Sequence, residues 1–183
     1  MAKIIEVQIE RCMGCHSCEF ACAVAHSTSK DMNVIIQDGE KPGNRISVES
    51  FGLKAVPINC RHCEEAACIL ACPTGAVHRD RAGEPVIVDT ERCIGCRMCV
   101  QACPFGVMTM NPDGKSALKC DLCIERLAVG QEPACVEACP TGALKFIDEE
   151  DANRSKRIKV AEQMIAAQQG ASEETTREFT VKI

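Results

Sequence analysis

The chain has no tryptophan, no tyrosine and only five phenylalanines among its 183 residues. Large aromatic side chains carry much of the burial in ordinary protein cores. Without them a conventional core of this length is weak, and something other than side chains has to fill the centre, as bound metal does in small domains. Long apolar runs are missing too: no stretch is sufficient to span a bilayer. The opening residues, Met1-Ala2-Lys3-Ile4-Ile5-Glu6-Val7, hold neither an apolar signal core nor a twin-arginine motif. The expectation is an unexported, cytoplasmic chain with no direct membrane span. Basic charge is not in excess either. The formal net charge is −5, the wrong sign for a phosphate backbone, so nucleic acid is excluded as a partner.

What the chain has in quantity is cysteine, 16 residues in all. That density belongs to disulfide scaffolds or to metal proteins, and an unexported chain points to metal. The cysteines fall into four runs of four. Run III, Cys93, Cys96, Cys99 and Cys103 before Pro104, reads C-x2-C-x2-C-x3-C-P, the spacing that wraps a [4Fe–4S] cluster. Run I, Cys12, Cys15, Cys18 and Cys22, repeats it without the proline. Run II, Cys60, Cys63, Cys68 and Cys72, has two extra residues before its third cysteine. In run IV, Cys120, Cys123, Cys135 and Cys139, that spacer grows to eleven residues. Cys-Pro-Thr-Gly-Ala occurs at both 72–76 and 139–143, an internal repeat. Paired C-x2-C elements also suit zinc, which would make the chain an interaction module. The tight triplets of runs I and III, and the Cys-Pro endings of runs II, III and IV, favour iron–sulfur cubes. Four oxidised cubes add about −2 each and bring the chain to roughly −13, which favours partners with a basic docking face.

Two-cluster ferredoxins trade their fourth ligands between paired runs. Runs II and III are neighbours and form one pair, and runs I and IV are left to form the other. The expected ligand sets are then Cys12, Cys15, Cys18 and Cys139 for cluster 1, and Cys22, Cys120, Cys123 and Cys135 for cluster 2. Cys60, Cys63, Cys68 and Cys103 would hold cluster 3, and Cys72, Cys93, Cys96 and Cys99 cluster 4.

The expected fold class is α+β: two bacterial-ferredoxin-like dicluster modules, one inserted in the other, with a β-hairpin insertion and a C-terminal helix. Residues 1–26 and 111–147 make the outer module, and residues 60–110 the inner one. Residues 27–59 are a loop and hairpin insertion, and residues 148–183 a C-terminal helix and tail. Residues 3–9 alternate as a strand, and Cys18 to His26 reads as a short helix. Ser27 to Asn44 is polar and turn-rich. Arg45 to Ser50 and Leu53 to Ile58 alternate as two strands joined across Phe51-Gly52. Further strands are expected at 85–89 and 107–110, with a turn at Asn111-Pro112-Asp113-Gly114. Ile124 to Ala134 reads as a helix and a loop broken by Gly130 and Pro133. Ile158, Ala161 and Ile165 share one face of a helix over 149–169, with Val160 and Met164 beside it. Gly170 is a candidate stop for that helix, and 171–183 reads as an extended tail.

The four spacings in this order resemble the four-cluster iron–sulfur subunits of the DMSO-reductase B type over residues 3–147. Within that group Cys18-Glu19-Phe20-Ala21-Cys22-Ala23-Val24-Ala25-His26-Ser27 is similar to the CooF branch. That branch comprises small cytoplasmic proteins that accept electrons from CO dehydrogenase. The resemblance implies a catalytic partner that is a nickel CO dehydrogenase or a tungsten or molybdenum pterin enzyme such as a tungsten aldehyde oxidoreductase. It also implies a hydrogenase or flavoprotein downstream. Close relatives serve formate dehydrogenases and hydrogenases. With all sixteen cysteines used as ligands, no iron is open to substrate. The chain is expected to relay electrons and to hold no catalytic site. The alternative is a free polyferredoxin that diffuses between enzymes.

Other residues carry two readings. His16 and His62 lie inside the cysteine loops and either tune a potential or face solvent. His26 and His78 read as surface residues. Lys119, Arg97 and Arg126 either offset cluster charge or are ordinary exposed charges. Met13, Met98, Met108 and Met110 read as packing around the clusters. The C-terminal helix either covers the chain's own core or docks a partner or a second copy. The ligand scheme has a direct test. Cys139→Ser is expected to perturb the cluster of run I more than that of run IV, read by EPR of the reduced protein; the opposite pattern breaks the scheme.

Overall fold

The fold is taken from a computed structural model, which describes the backbone of residues 3–180 and the side chains of residues 3–167. The alternating apolar residues at the start of the chain form β1 (Lys3–Val7), with Ile5 turned inward at 3% exposure. Its partner is the last strand, β8 (Leu144–Asp148), in an antiparallel ladder from Lys3↔Asp148 to Val7↔Leu144. This ladder lays run I beside run IV, although 97 residues, from 23 to 119, separate them.

The expected hairpin forms from β2 (Ile46–Phe51) and β3 (Lys54–Asn59). It is shifted one residue along the chain, because Gly52 rather than Phe51 takes the left-handed turn position, at φ 61°. β4 (Val77–His78) pairs with β5 (Ile87–Val88), and β6 (Thr109–Met110) with β7 (Ala117–Leu118). The strands expected at 85–89 and 107–110 therefore shrink to two residues each. Cysteine loops flank them closely, and Pro85 has no N–H to extend a ladder. Asn111 and Gly114 close the expected turn, with Gly114 donating to the Asn111 carbonyl at 2.7 Å.

Short helices follow the cysteine loops: α1 (Ser17–Ala25), α3 (Ala67–Leu70), α4 (Met98–Ala102), α5 (Ile124–Ala128) and α6 (Ala134–Glu137). The region expected to be turn-rich loop between Ser27 and Asn44 instead contains α2 (Met32–Asp38). Asp31 caps it, its carboxylate accepting from the N–H groups of Asn33 (2.7 Å) and Val34 (3.4 Å). Gly39 ends it in the left-handed conformation. The Asp38-Gly39 pair that reads as a loop signal is this helix terminus.

The two halves of the chain repeat one another. In the first, strand β1, run I, hairpin β2–β3, run II and strand β4 follow in order. In the second, β5, run III, hairpin β6–β7, run IV and β8 do the same. The long β2–β3 hairpin is thus the enlarged counterpart of the short β6–β7 pair. Each half pairs its first strand with the last strand of the other. Matching bonds mark the equivalence: Gln8 N–H donates to Ala143 O at 2.8 Å, and Asp89 N–H to Ala76 O at 2.8 Å.

Two apolar groups result, and both include cysteines. Ile5, Ile46, Val48, Leu122 and Leu144 pack with Cys18, Cys22, Cys120 and Cys135. Val77, Val86, Met108 and Ala117 pack with Cys99 and the partly buried Cys63, Cys68, Cys72, Cys93 and Cys103.

The last helix, α7, runs Glu149–Thr180, straight through Gly170 and the expected tail; 181–183 lie outside the described residues. One interior glycine costs about 1 kcal/mol, too little to stop a helix with good helix formers on both sides. Among its described side chains only Ala152 is buried. Ile158, Val160, Met164 and Ile165 are half exposed or more, so beyond Ala152 the described side chains of α7 do not cover the chain's own core. Among the described residues no helix is long and apolar enough to cross a membrane. A chain ending after Asn153 is expected to keep the iron content and thermal midpoint of the full chain. A fall in either would place α7 in the core after all.

Candidate metal centres

Each C-x2-C loop has to fold back within four residues, and the backbone does so by turning left-handed just before the second cysteine. Gly14 (φ 69°) and Gly95 (φ 68°) occupy that position in runs I and III. In runs II and IV it falls to His62 (φ 45°) and Leu122 (φ 60°), side chains that rarely adopt this conformation. A Cβ on Gly95 would stand 2.9 Å from the Lys115 carbonyl oxygen, and one on Gly14 3.1 Å from the Ala55 Cβ. The hairpin that follows each of these two runs therefore presses on its loop.

The turns aim main-chain N–H groups at sulfur. His62 N–H donates to Cys60 Sγ and Leu122 N–H to Cys120 Sγ, both at 3.4 Å. Across elements, Arg45 N–H reaches Cys22 Sγ at 3.3 Å and Ala117 N–H reaches Cys93 Sγ at 3.4 Å. The repeated Cys-Pro-Thr-Gly-Ala segments behave alike: Val77 N–H meets Cys72 Sγ at 3.4 Å, and Ala143 N–H meets Cys139 Sγ at 3.2 Å. Thr74 and Thr141 hydroxyls lie 3.7 Å from the same two sulfurs. The arginine preceding each first run packs on the matching glycine: Arg92 on Gly75, Arg11 on Gly142.

Eight of the thiols gather in two quartets. Cys72, Cys93, Cys96 and Cys99 line one cavity, and Cys60, Cys63, Cys68 and Cys103 a second. In the other apolar group, burial pushes the Cys135 thiol well up, and Cys120, Cys22, Cys123 and Cys18 around it add to the effect. Burial raises Cys18 to about 11, with Glu19 and the nearby Cys139 contributing. Ser17 lowers Cys15 by hydrogen bonding, against the charge of the same Cys139. Cys12, the remaining thiol of run I, is partly buried against this group.

These surroundings fit an iron–sulfur cluster. A bound metal deprotonates its thiols outright, so even Cys120, raised to about 12 by burial, can serve as a thiolate. The N–H groups supply the donors that cluster sulfurs attract. His62 adds another observation. Its Nδ1 accepts from Val86 N–H at 3.0 Å, so Nε2 carries the proton. That Nε2 is buried and without a partner among the described residues, on a side chain that lines the second cavity. Burial and the charge of Lys119 push His62 down to about 3, so the ring stays neutral.

Several sequence expectations need correction. His26 is not a surface residue. Its Nδ1 donates to Cys22 O at 2.8 Å and its Nε2 to Asp121 Oδ1 at 3.1 Å. Burial alone would lower its pKa, but the bonds to Asp121, Cys123 and Cys22 raise it to about 12. Asp121 also accepts from the Arg45 guanidinium. Burial works against that carboxylate, yet His26 and Arg45 hold it well below the usual range. His78 is half-buried and bonded to Ala76 O at 3.1 Å, whereas His16 is exposed and paired with Glu19 at 2.8 Å. Met108 is buried and Met110 lines the first cavity, but Met13 and Met98 are exposed. Arg97 is exposed, Arg126 pairs with Glu137, and Lys119 is 3% exposed.

Left-handed cysteine loops closing on sulfur-lined cavities, joined by short two-stranded sheets, define a ferredoxin-type iron–sulfur protein. Comparison with known families agrees. The chain belongs to the 4Fe-4S dicluster domain family, whose profile matches residues 51–149. A second profile, a 4Fe-4S binding domain, matches residues 9–25. An "Iron-sulfur protein" of Rhodospirillum rubrum is 44% identical over 157 residues, covering 79% of this chain and 82% of that protein. The "Thiosulfate reductase electron transfer subunit PhsB" of Salmonella typhi is 45% identical over 151 residues, 79% of this chain and 76% of that one. The iron–sulfur subunit of the nitrate-inducible formate dehydrogenase of Escherichia coli K12 is 31% identical over 180 residues, 91% of this chain and 58% of that one. The chain binds multiple [4Fe–4S] clusters, as its domains and its 16 cysteines require.

Gly95→Ala is expected to cost at least about 1–2 kcal/mol in the left-handed loop and to lower iron per chain. Gly39→Ala, at the same φ but with nothing within 4 Å, is expected to keep full iron. Equal iron in both variants would show that the contact with Lys115 does not matter.

Proposed function

We propose that this chain is the electron-transfer subunit of an oxidoreductase complex and that it relays single electrons through four [4Fe–4S] clusters. The observation that carries this reading is the lining of two cavities by four cysteines each, with six further cysteines of runs I and IV packed in the other apolar group. The quartets support the ligand sets Cys12, Cys15, Cys18 and Cys139; Cys22, Cys120, Cys123 and Cys135; Cys60, Cys63, Cys68 and Cys103; and Cys72, Cys93, Cys96 and Cys99. They also support nested modules, 1–26 with 111–147 around 60–110.

When bound, such a cluster takes up and returns one electron with little rearrangement. The chain's own residues do the rest. Cysteines fix the positions, buried apolar side chains exclude water, and N–H groups soften the negative charge on sulfur. Burial orders the four sites. Cys15 and Cys96 are exposed, one in run I and one in run III, whereas Cys22, Cys120, Cys123 and Cys135 are all buried and Cys60, Cys63, Cys68 and Cys103 are all partly buried. Cys60 and Cys120 are close enough for each charge to oppose the other. Electrons then enter and leave at the quartets of Cys15 and Cys96, with the other two between them.

The partner is a catalytic oxidoreductase subunit. Similarity to a thiosulfate reductase subunit and a formate dehydrogenase subunit favours this over a free carrier. The segment Cys18 to Ser27 favours a CooF-like placement, with a nickel CO dehydrogenase or tungsten aldehyde oxidoreductase as the catalytic subunit and the cytoplasm as the location. The test is elemental analysis of the complex purified without oxygen through a tag on this chain. About sixteen irons per copy, with matching sulfide, is the expected result. Zinc without sulfide overturns the relay. Nickel, tungsten or molybdenum in the complex identifies the class of partner, and iron in an isolated chain favours the free carrier.

A further inference from the structure

Lys119 is the buried cation among the described residues. Its side chain sits inside at 3% exposure, immediately before the run IV ligand Cys120. Its Nζ donates to Cys120 O at 2.6 Å and to Val86 O. Val86 lies on the wall of the cavity formed by Cys60, Cys63, Cys68 and Cys103, and its N–H is held by His62. The ammonium thus spans from one quartet to the next.

A buried ammonium without a counter-charge costs several kcal/mol. Two carbonyl oxygens solvate it only in part. Among the described residues no carboxylate forms an ion pair with it. Compensation has to come from the thiolates on either side. Lys119 favours the charged form of both Cys68 and Cys120, one from each quartet, although burial raises both thiols overall. Each cluster becomes more negative on reduction, so a fixed cation beside it stabilises the reduced form.

We propose that Lys119 is a shared counter-charge between the two inner cysteine quartets, those of Cys68 and Cys120, and that it raises the reduction potentials of both clusters together. This rests on the four-cluster relay proposed above. It makes Lys119 a positioning residue that holds no iron. One side chain then shifts the two central sites in the same direction, so that neither is lowered relative to the other when the charge is present.

The experiment is a potentiometric titration followed by EPR on the cluster-loaded full chain, for the wild type and Lys119→Met, Lys119→Gln and Lys119→Arg. Lys119→Gln keeps donors for the two carbonyls and removes only the charge. The expected result is full iron in every variant. Two of four potentials should move negative in the Met and Gln variants, the other two should hold, and Lys119→Arg should stay near the wild type. Unmoved potentials, or an equal shift of all four, overturn the proposal. If both neutral variants shed iron, Lys119 is needed to build the sites and the tuning role falls with it. A wild type with fewer than four one-electron steps instead sinks the four-cluster reading on which this rests.

Discussion

Negative charge has to be kept inside this chain, and nearly every local feature answers to that. Thiolates bound to metal cannot be left among apolar groups alone. The interior therefore presents donors: main-chain N–H groups turned onto sulfur, threonine hydroxyls beside Cys72 and Cys139, and one lysine between the groups. The left-handed turns follow from the same need, since a loop of ordinary handedness would face its carbonyls toward the sulfurs. His62 and Leu122 accept an unfavourable conformation for it. Short strands and one-turn helices are enough elsewhere, because the prosthetic groups rather than aromatic side chains occupy the space between them.

Much of this was legible from cysteine spacing. The four runs, their helices and the hairpin after run I are all visible in the order of residues. So is the repeated Cys-Pro-Thr-Gly-Ala segment, which makes the same contacts at both of its occurrences. The family match at residues 51–149 lies over three of the four runs. What was not legible depended on contacts distant in sequence. His26 looks like a surface residue until Asp121, ninety-five positions away, is brought to its ring. Lys119 looks like any charge near a ligand until Val86 closes over it. α2 was hidden because its cap and its terminating glycine are the residues that also mark loops. The true end of α7 was missed for the opposite reason: Gly170 reads as a stop, yet one glycine in a solvated helix is tolerated.

The repeat changes how the hairpins are understood. Viewed alone, β2–β3 is an addition to a ferredoxin. Set beside β6–β7, it is the same part made longer, and each presses on a glycine of the preceding run at Gly14 or Gly95. The glycine is retained where the hairpin strand comes close. In runs II and IV, where the same position is His62 or Leu122, the side chains are put to other use: one binds Val86, and the other joins the apolar core.

The pairing of the first strand with the last also sets a timetable for synthesis. A ribosome delivers β1 well before β8, its ladder partner, which emerges about a hundred and forty residues later. The segment from run II through run III is complete much sooner and can close on local contacts. Run I has to wait, its thiols unpaired, until run IV leaves the exit tunnel. Non-local closure of this kind is slow, and a waiting thiol cluster is exposed to oxidation or the wrong metal. Run I, made before the other three, is therefore the last to be finished, and it is there that a cell would have most reason to guard the nascent protein.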